Sequence, residues 1–204
     1  METQRKSEKS KLLAHRTWWK YALAIVCVML IFVFIRLSVI AVYKAPSASM
    51  EDTLLAGDKI LAMKIVYGIK IPFTNLRILD FHKPAAGDIV VFKPPPVAGN
   101  TQRFIKRIVG VQGDVIEIKE GELYRNGMVV IEKNYVKRQP FSGASPLNMR
   151  PLKIPPNHIF VMGDNRDRSI DSRIWGTVPI GNIEGQAFII YSSWDKSRIG
   201  RRIK

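Results

Sequence analysis

Cysteine occurs once in this chain of 204 residues, at Cys27, inside an apolar run. That excludes a disulfide framework and any cysteine-based metal site, and leaves Cys27 as a small packing residue. Histidine is almost as scarce, with His15, His82 and His158 alone, and none of them stands in a recognisable Ser-His-Asp context. Acidic residues are few: 17 Asp and Glu face 32 Lys and Arg, a formal charge of +15. The basic residues are spread along the chain without a nucleic-acid-binding motif, so no nucleic-acid partner is expected. Anionic lipid head groups are the better match for them, above all for the terminal stretch Lys196 to Lys204, "KSRIGRRIK". Long apolar runs are lacking too, with a single exception.

That exception, Tyr21 to Val42, carries one charge, Arg36. About 20 apolar residues cross a hydrocarbon core, so a transmembrane helix over 21–43 is expected, with Trp18 and Trp19 in the interfacial belt and Arg36 snorkelling to the far head groups. A cleavable signal peptide is the rival, but its apolar region usually spans only about 7–15 residues. The reading is a retained anchor. The basic tail 1–20 then lies in the cytoplasm, and residues 44–204 form one domain on the other side.

Beyond the anchor the apolar residues come in short runs. "KILAMKIVYGI", "GDIVVFKPPP", "FIKRIVGV", "VIEIKEGELYRNGMVVIEK", "HIFVMGD" and "AFIIYSSW" are rich in Val, Ile and aromatics and bounded by turn formers. Asn126-Gly127 is a strong hairpin turn signal. An all-β, antiparallel domain is expected, with a small β insertion at about 115–155, and the Pro- and Ser-rich stretch Arg138 to His158 reads as loop.

Just after the anchor stands "APSASMEDTLLAGD", with Ser47 and Ser49 two positions apart. It is either a polar linker or a nucleophile at the bilayer surface. A nucleophilic serine needs a base. His15 falls on the wrong side of the membrane, and His82 and His158 read as surface residues. A lysine can serve only if burial lowers its pKa from about 10.4. Lys106 in "RFIKRIVGV" sits among Phe104, Ile105, Ile108 and Val109 in an expected strand, where Phe104, Lys106 and Ile108 share a face. A lysine guarding an edge strand is the alternative. The third dense stretch, "GDNRDRSIDSRIWG" from Gly163 to Gly176, is either a solvated loop or a buried network supporting a site.

Together these stretches resemble the type I signal peptidases, membrane-bound serine proteases that remove signal peptides from exported proteins. "PSASM", "TLLAGD", "YGIKIP", "GDIVVFK", "FIKRIVGVQGD" and "GDNRDRSIDSRIWG" follow the family's segments in order. The resemblance implies Ser49 as nucleophile and Lys106 as general base. It implies an oxyanion hole from the Ser49 backbone N–H and the Ser47 hydroxyl, and Ser169 orienting the lysine. Asp171 and Arg173 would form a supporting ion pair, with Gly163, Asp164 and Asn165 at the structural start of the segment. Met50, Leu54, Phe104 and Ile105 would line the substrate pocket. It further implies preprotein signal peptides as substrates, cut after small residues, membrane lipids as neighbours, no metal or cofactor, and a single-pass place in the bacterial inner membrane with the catalytic domain on the extracytoplasmic face.

The chain departs from the family's pattern at three positions. Asp52 stands where proline is usual, which frees the backbone φ after the nucleophile, Ala45 replaces a bulkier aliphatic, and Ala48 replaces a frequent glycine. Two rivals remain: a dedicated, conjugation-type peptidase with a narrow substrate, and a catalytically silent membrane-surface adaptor.

Overall fold

The computed structural model describes residues 18–33, 39–70, 77–78, 82–99, 101–132, 136 and 146–203. The greater part of the basic tail, His15 and Arg36 lie outside them. A helix, α1, runs over residues 18–33 with its apolar side chains exposed, Cys27 among them. Its described part, 18–33, rises about 24 Å. Among the described residues no helix is long and apolar enough to cross a membrane. Residues 40–43, placed by the sequence in the anchor, are strand instead.

The strands in chain order are β1 (Ile40–Lys44), β2 (Lys59–Met63), β3 (Ile69–Lys70), β4 (Arg77–Ile78), β5 (Ile89–Phe92), β6 (Phe104–Val111) and β7 (Val115–Lys119). They continue with β8 (Glu122–Arg125), β9 (Met128–Val129), β10 (Met149–Lys153), β11 (His158–Met162), β12 (Val178–Pro179) and β13 (Ile183–Ser192), and a one-turn helix α2 covers Ser172–Trp175. Every pairing between named strands is antiparallel. The protein is therefore mostly antiparallel β, as its short Val- and Ile-rich runs require.

A seven-stranded sheet has the order β1-β2-β13-β5-β6-β11-β12, and a four-stranded sheet built from residues 115–153 has the order β10-β7-β8-β9. β5 is buried along its whole length and β6 nearly so, so neither shows the polar alternation of a half-exposed strand. β6 lies between β5 and β11, and Lys106 is thus an interior residue of the sheet, not the guard of an edge. Asn126 (φ 55°) and Gly127 (φ 79°) form the turn between β8 and β9, both left-handed as a two-residue hairpin demands.

The Pro-rich stretch expected as loop contributes β10. Its Pro151 removes a ladder donor, but β10 is an edge strand and its register shifts between Met149 and Leu152, where a proline is tolerated. The basic C-terminal stretch also differs from a purely lipid-facing tail. Arg198 is buried, donating to the Thr53 carbonyl at 2.8 Å and to Asp58 Oδ2 at 3.3 Å, while Lys196, Arg201 and Arg202 are exposed. Arg198→Ala leaves the fully buried Asp58 carboxylate without its cation, and we expect a loss of about 3 kcal/mol in urea unfolding. Arg201→Ala, on the surface nearby, serves as the comparison and changes stability by less than about 0.5 kcal/mol.

Candidate active site

β1 leads straight into the segment that carries the two serines. Ala45 N–H donates to the Asp58 carbonyl and Gly57 N–H to the Ala45 carbonyl, which pins the base of the loop 45–58. At its start a single 3-10 turn, Ala48–Met50, buries Ser49 and Met50 while Ser47 stays exposed. Met50 and Leu54 anchor that turn in a core cluster with Ala45 and Ile105.

Lys106, in the middle of β6 opposite Val90, is 3% exposed, and its Nζ lies 2.5 Å from Ser49 Oγ. The Phe104 ring, 5.8 Å from Nζ, shares its face as strand alternation requires and is itself stacked on Trp175 at 5.2 Å. Burial is the largest influence on this amine and lowers its pKa from the ordinary 10.5 to about 8. Asp171 pulls the value back up, Arg173 pushes it down and Asp164 raises it again. A lysine in this state is neutral in an accessible pH range, and a neutral amine hydrogen-bonded to a hydroxyl can take its proton.

The segment from Gly163 to Gly176 is a buried network. Gly163 comes so close to the site that an added Cβ would stand 2.5 Å from the Ser49 carbonyl oxygen and closer still to Ser169 Oγ. Its N–H donates to Asp171 Oδ2, and the Asn165 N–H donates to the Ser49 carbonyl at 3.1 Å. Asp164 accepts a two-pronged contact from Arg107 (2.9 and 2.8 Å) and a bond from Thr53 Oγ1 at 2.6 Å. Ser169 Oγ donates to Asp171 Oδ2 at 2.6 Å, and Arg173 holds both Asp171 oxygens at 2.9 and 2.8 Å. Asp171 is wholly buried; burial, the largest single influence, pushes its carboxyl up, but Arg173, Lys106 and Ser169 together outweigh this and the net shift is downward, so it stays ionised.

Three partners in this network escaped the sequence reading. Arg107, next to Lys106, is buried on Asp164, and its adjacency to a catalytic candidate in an apolar strand was the available signal. Glu132 forms a buried two-pronged pair with Arg166, which donates to the Gly163 carbonyl at 3.0 Å. Thr53 left no signal. His82 is exposed and His158 rests its ring on the Pro156 carbonyl, so neither joins the site. A cleft of about 280 Å³ opens on Ser49 and Lys106, walled by Ala45, Ser47, Met50, Phe104 and Ile105. Leu54, expected in the pocket, is fully buried behind that wall. Ser47 Oγ lies 3.1 Å from Ser49 Oγ. Among the described residues no cluster of His, Cys, Asp and Glu could hold a metal ion.

A serine hydroxyl held against a buried amine, with no histidine near it among the described residues, in a cleft open to solvent, is the arrangement of a serine hydrolase. The family model described as signal peptidase, peptidase S26, matches residues 18–194. Signal peptidase I of Pseudomonas aeruginosa is 34% identical over 82% of this chain and 70% of its own length. A probable signal peptidase I of a Synechocystis strain is 34% identical over 95% of this chain and 81% of its own. A crystal structure of a signal peptidase I from Enterococcus faecalis matches at 32% identity and a TM-score of 0.41, covering 52% of this chain and 97% of that one. The chain belongs to the signal peptidase family, peptidase S26, and is a serine endopeptidase.

Two substitutions test this geometry. Gly163→Ala forces a methyl group between Ser49 and Ser169, and a loss of at least about 100-fold in kcat/KM is expected from displacement of the serine turn. Asp52 has φ +81°, a value the proline ring forbids, so the proline usual here in the family does not fit this backbone. Asp52→Pro should lower stability by more than about 1 kcal/mol in urea unfolding, whereas Asp52→Gly stays within about 1 kcal/mol of the parent.

Proposed function

We propose that this protein removes N-terminal signal peptides from exported preproteins, cutting after small residues with a dyad of Ser49 and Lys106. The observation that carries the reading is the 2.5 Å contact between Ser49 Oγ and the buried Lys106 amine at the floor of the cleft. Neutral Lys106 takes the Ser49 proton as the hydroxyl oxygen attacks the scissile carbonyl. The negative charge that develops on the carbonyl oxygen is met by the Ser49 backbone N–H and the Ser47 hydroxyl. Collapse breaks the C–N bond, the lysine ammonium gives its proton to the departing amine of the mature protein, and the signal peptide remains as an ester on Ser49. Lys106 then takes a proton from water as it attacks the ester, and returns it to the Ser49 oxygen as the ester bond breaks and the signal peptide leaves.

Ser169, held by Asp171, positions the amine, and the Asp171–Arg173 pair fixes Ser169. The apolar wall of Met50, Phe104 and Ile105 beside Ser49 is the surface on which small side chains before the cut would rest. The membrane setting belongs to the same proposal: the apolar segment from Tyr21 up to the start of β1 tethers the chain in the inner membrane, beside lipid, with the catalytic domain on the extracytoplasmic face. The continuous apolar surface of α1 supports it. Holding enzyme and substrate in one plane raises their effective concentration.

Cleavage of a secretory precursor by the detergent-solubilised protein tests the reading. Ser49→Ala and Lys106→Met are each expected to lower turnover by at least about 1,000-fold, and retention of cleavage by either overturns the dyad. Only the neutral amine works as base, so kcat/KM should climb about tenfold per pH unit towards pH 8 and level above it. Stability carries an independent signature. Between about 8 and 10.5 the unfolded chain binds the proton that folded Lys106 has lost, so the fold gains stability as pH rises through that window. Lys106→Met should therefore stabilise the protein by roughly 3 kcal/mol at pH 7 and by little at pH 10.5. Thermal unfolding of both proteins across pH checks it.

A further inference from the structure

The loop that supports the site carries three arginines between Gly163 and Gly176, and they are used differently. Arg166 is buried on Glu132, and Arg173 is buried on Asp171. Arg168 is exposed, makes no ion pair or side-chain hydrogen bond among the described residues, and lines the same cleft as Ser49 and Lys106. The backbone explains the difference. Ser169 has an extended conformation (φ −120°, ψ 120°), so its side chain turns inward to Asp171 while Arg168 and Ile170 on either side turn outward into the cleft.

The other walls make that cation stand out. No Asp or Glu among the described residues lines the cleft, and its only other charged side chain is Lys106, which is neutral when it acts as base. A guanidinium at the mouth of a cleft, without a carboxylate partner among the described residues, is left to pair with what enters. We propose that Arg168 is a specificity-determining residue of this protease, selecting substrates that carry a carboxylate side chain within about three residues of the scissile bond, the span of extended peptide an arginine can reach. The assignment rests on Ser49 and Lys106 being the reactive pair of this cleft.

The test uses the detergent-solubilised full chain and a set of fluorogenic peptides sharing one neutral signal-peptide junction. In each peptide one position, from five before the cut to three after it, is Gln, Glu or Lys. At one position or two adjacent ones, Glu should exceed Lys by about fivefold in kcat/KM, mainly through KM, and the preference should shrink between 50 and 500 mM salt. Arg168→Gln should flatten the series to within about twofold, and Arg168→Glu should reverse it. If Glu and Lys are cleaved alike at every position, or if the preference survives Arg168→Glu, the assignment is overturned although the enzyme is active. If the unsubstituted chain cleaves no peptide, the Ser49–Lys106 reading fails first and the specificity assignment with it.

Discussion

The removal of one lysine amine from water governs the rest of the structure. An exposed Lys106 would remain protonated and could accept nothing; a buried one costs the fold stability that other contacts must offset. Its strand, β6, lies inside the sheet beside the fully buried β5, and the side chain is left 3% exposed. Phe104, stacked on Trp175, covers it from the same face. What remains open is the direction of Ser49.

Carboxylates near a cationic amine would undo this, and the chain handles its carboxylates accordingly. Asp171 and Asp164 both raise the pKa of Lys106, yet each is occupied by an arginine. Asp171 is held by Arg173 and Asp164 by Arg107, and the positive charge of Arg173 works against the upward pull of Asp171 on the lysine. The same pairs give rigidity: Gly163, Ser169 and the Ser49 carbonyl are linked to them by hydrogen bonds or direct packing. Electrostatic tuning and positioning are thus carried by one set of bonds.

Much of this was legible because local sequence and long-range structure agree. The Val- and Ile-rich runs became strands and Asn126-Gly127 became a hairpin turn, while the apolar flanks of Lys106 left a buried amine and an edge guard both open. The density of charge in "GDNRDRSIDSRIWG" left open whether it was surface or network, because composition cannot show which carboxylate meets which arginine. Glu132 was unreadable for that reason: its partner is 34 positions away. β10 was missed because Pro151 lowers strand propensity locally, and only its place at a sheet edge permits it. β1 was absorbed into the anchor because an apolar strand and the end of an apolar helix have the same composition. In each miss a tertiary neighbour supplied what the local pattern lacked.

β1 has a mechanical meaning as well. Its five residues lie along β2 from the Ile40–Met63 pair to the Lys44–Lys59 pair, and Ser49 follows five positions after Lys44. A pull on the chain before Ile40 therefore meets this ladder in shear, with its hydrogen bonds sharing the load at once, before any strain reaches the serine turn. Beyond it the loop base is clamped again where Ala45 and Gly57 bond across the neck. The reactive hydroxyl is thus isolated from whatever tugs on the preceding segment, as a tool held in a vice is isolated from the movement of the bench.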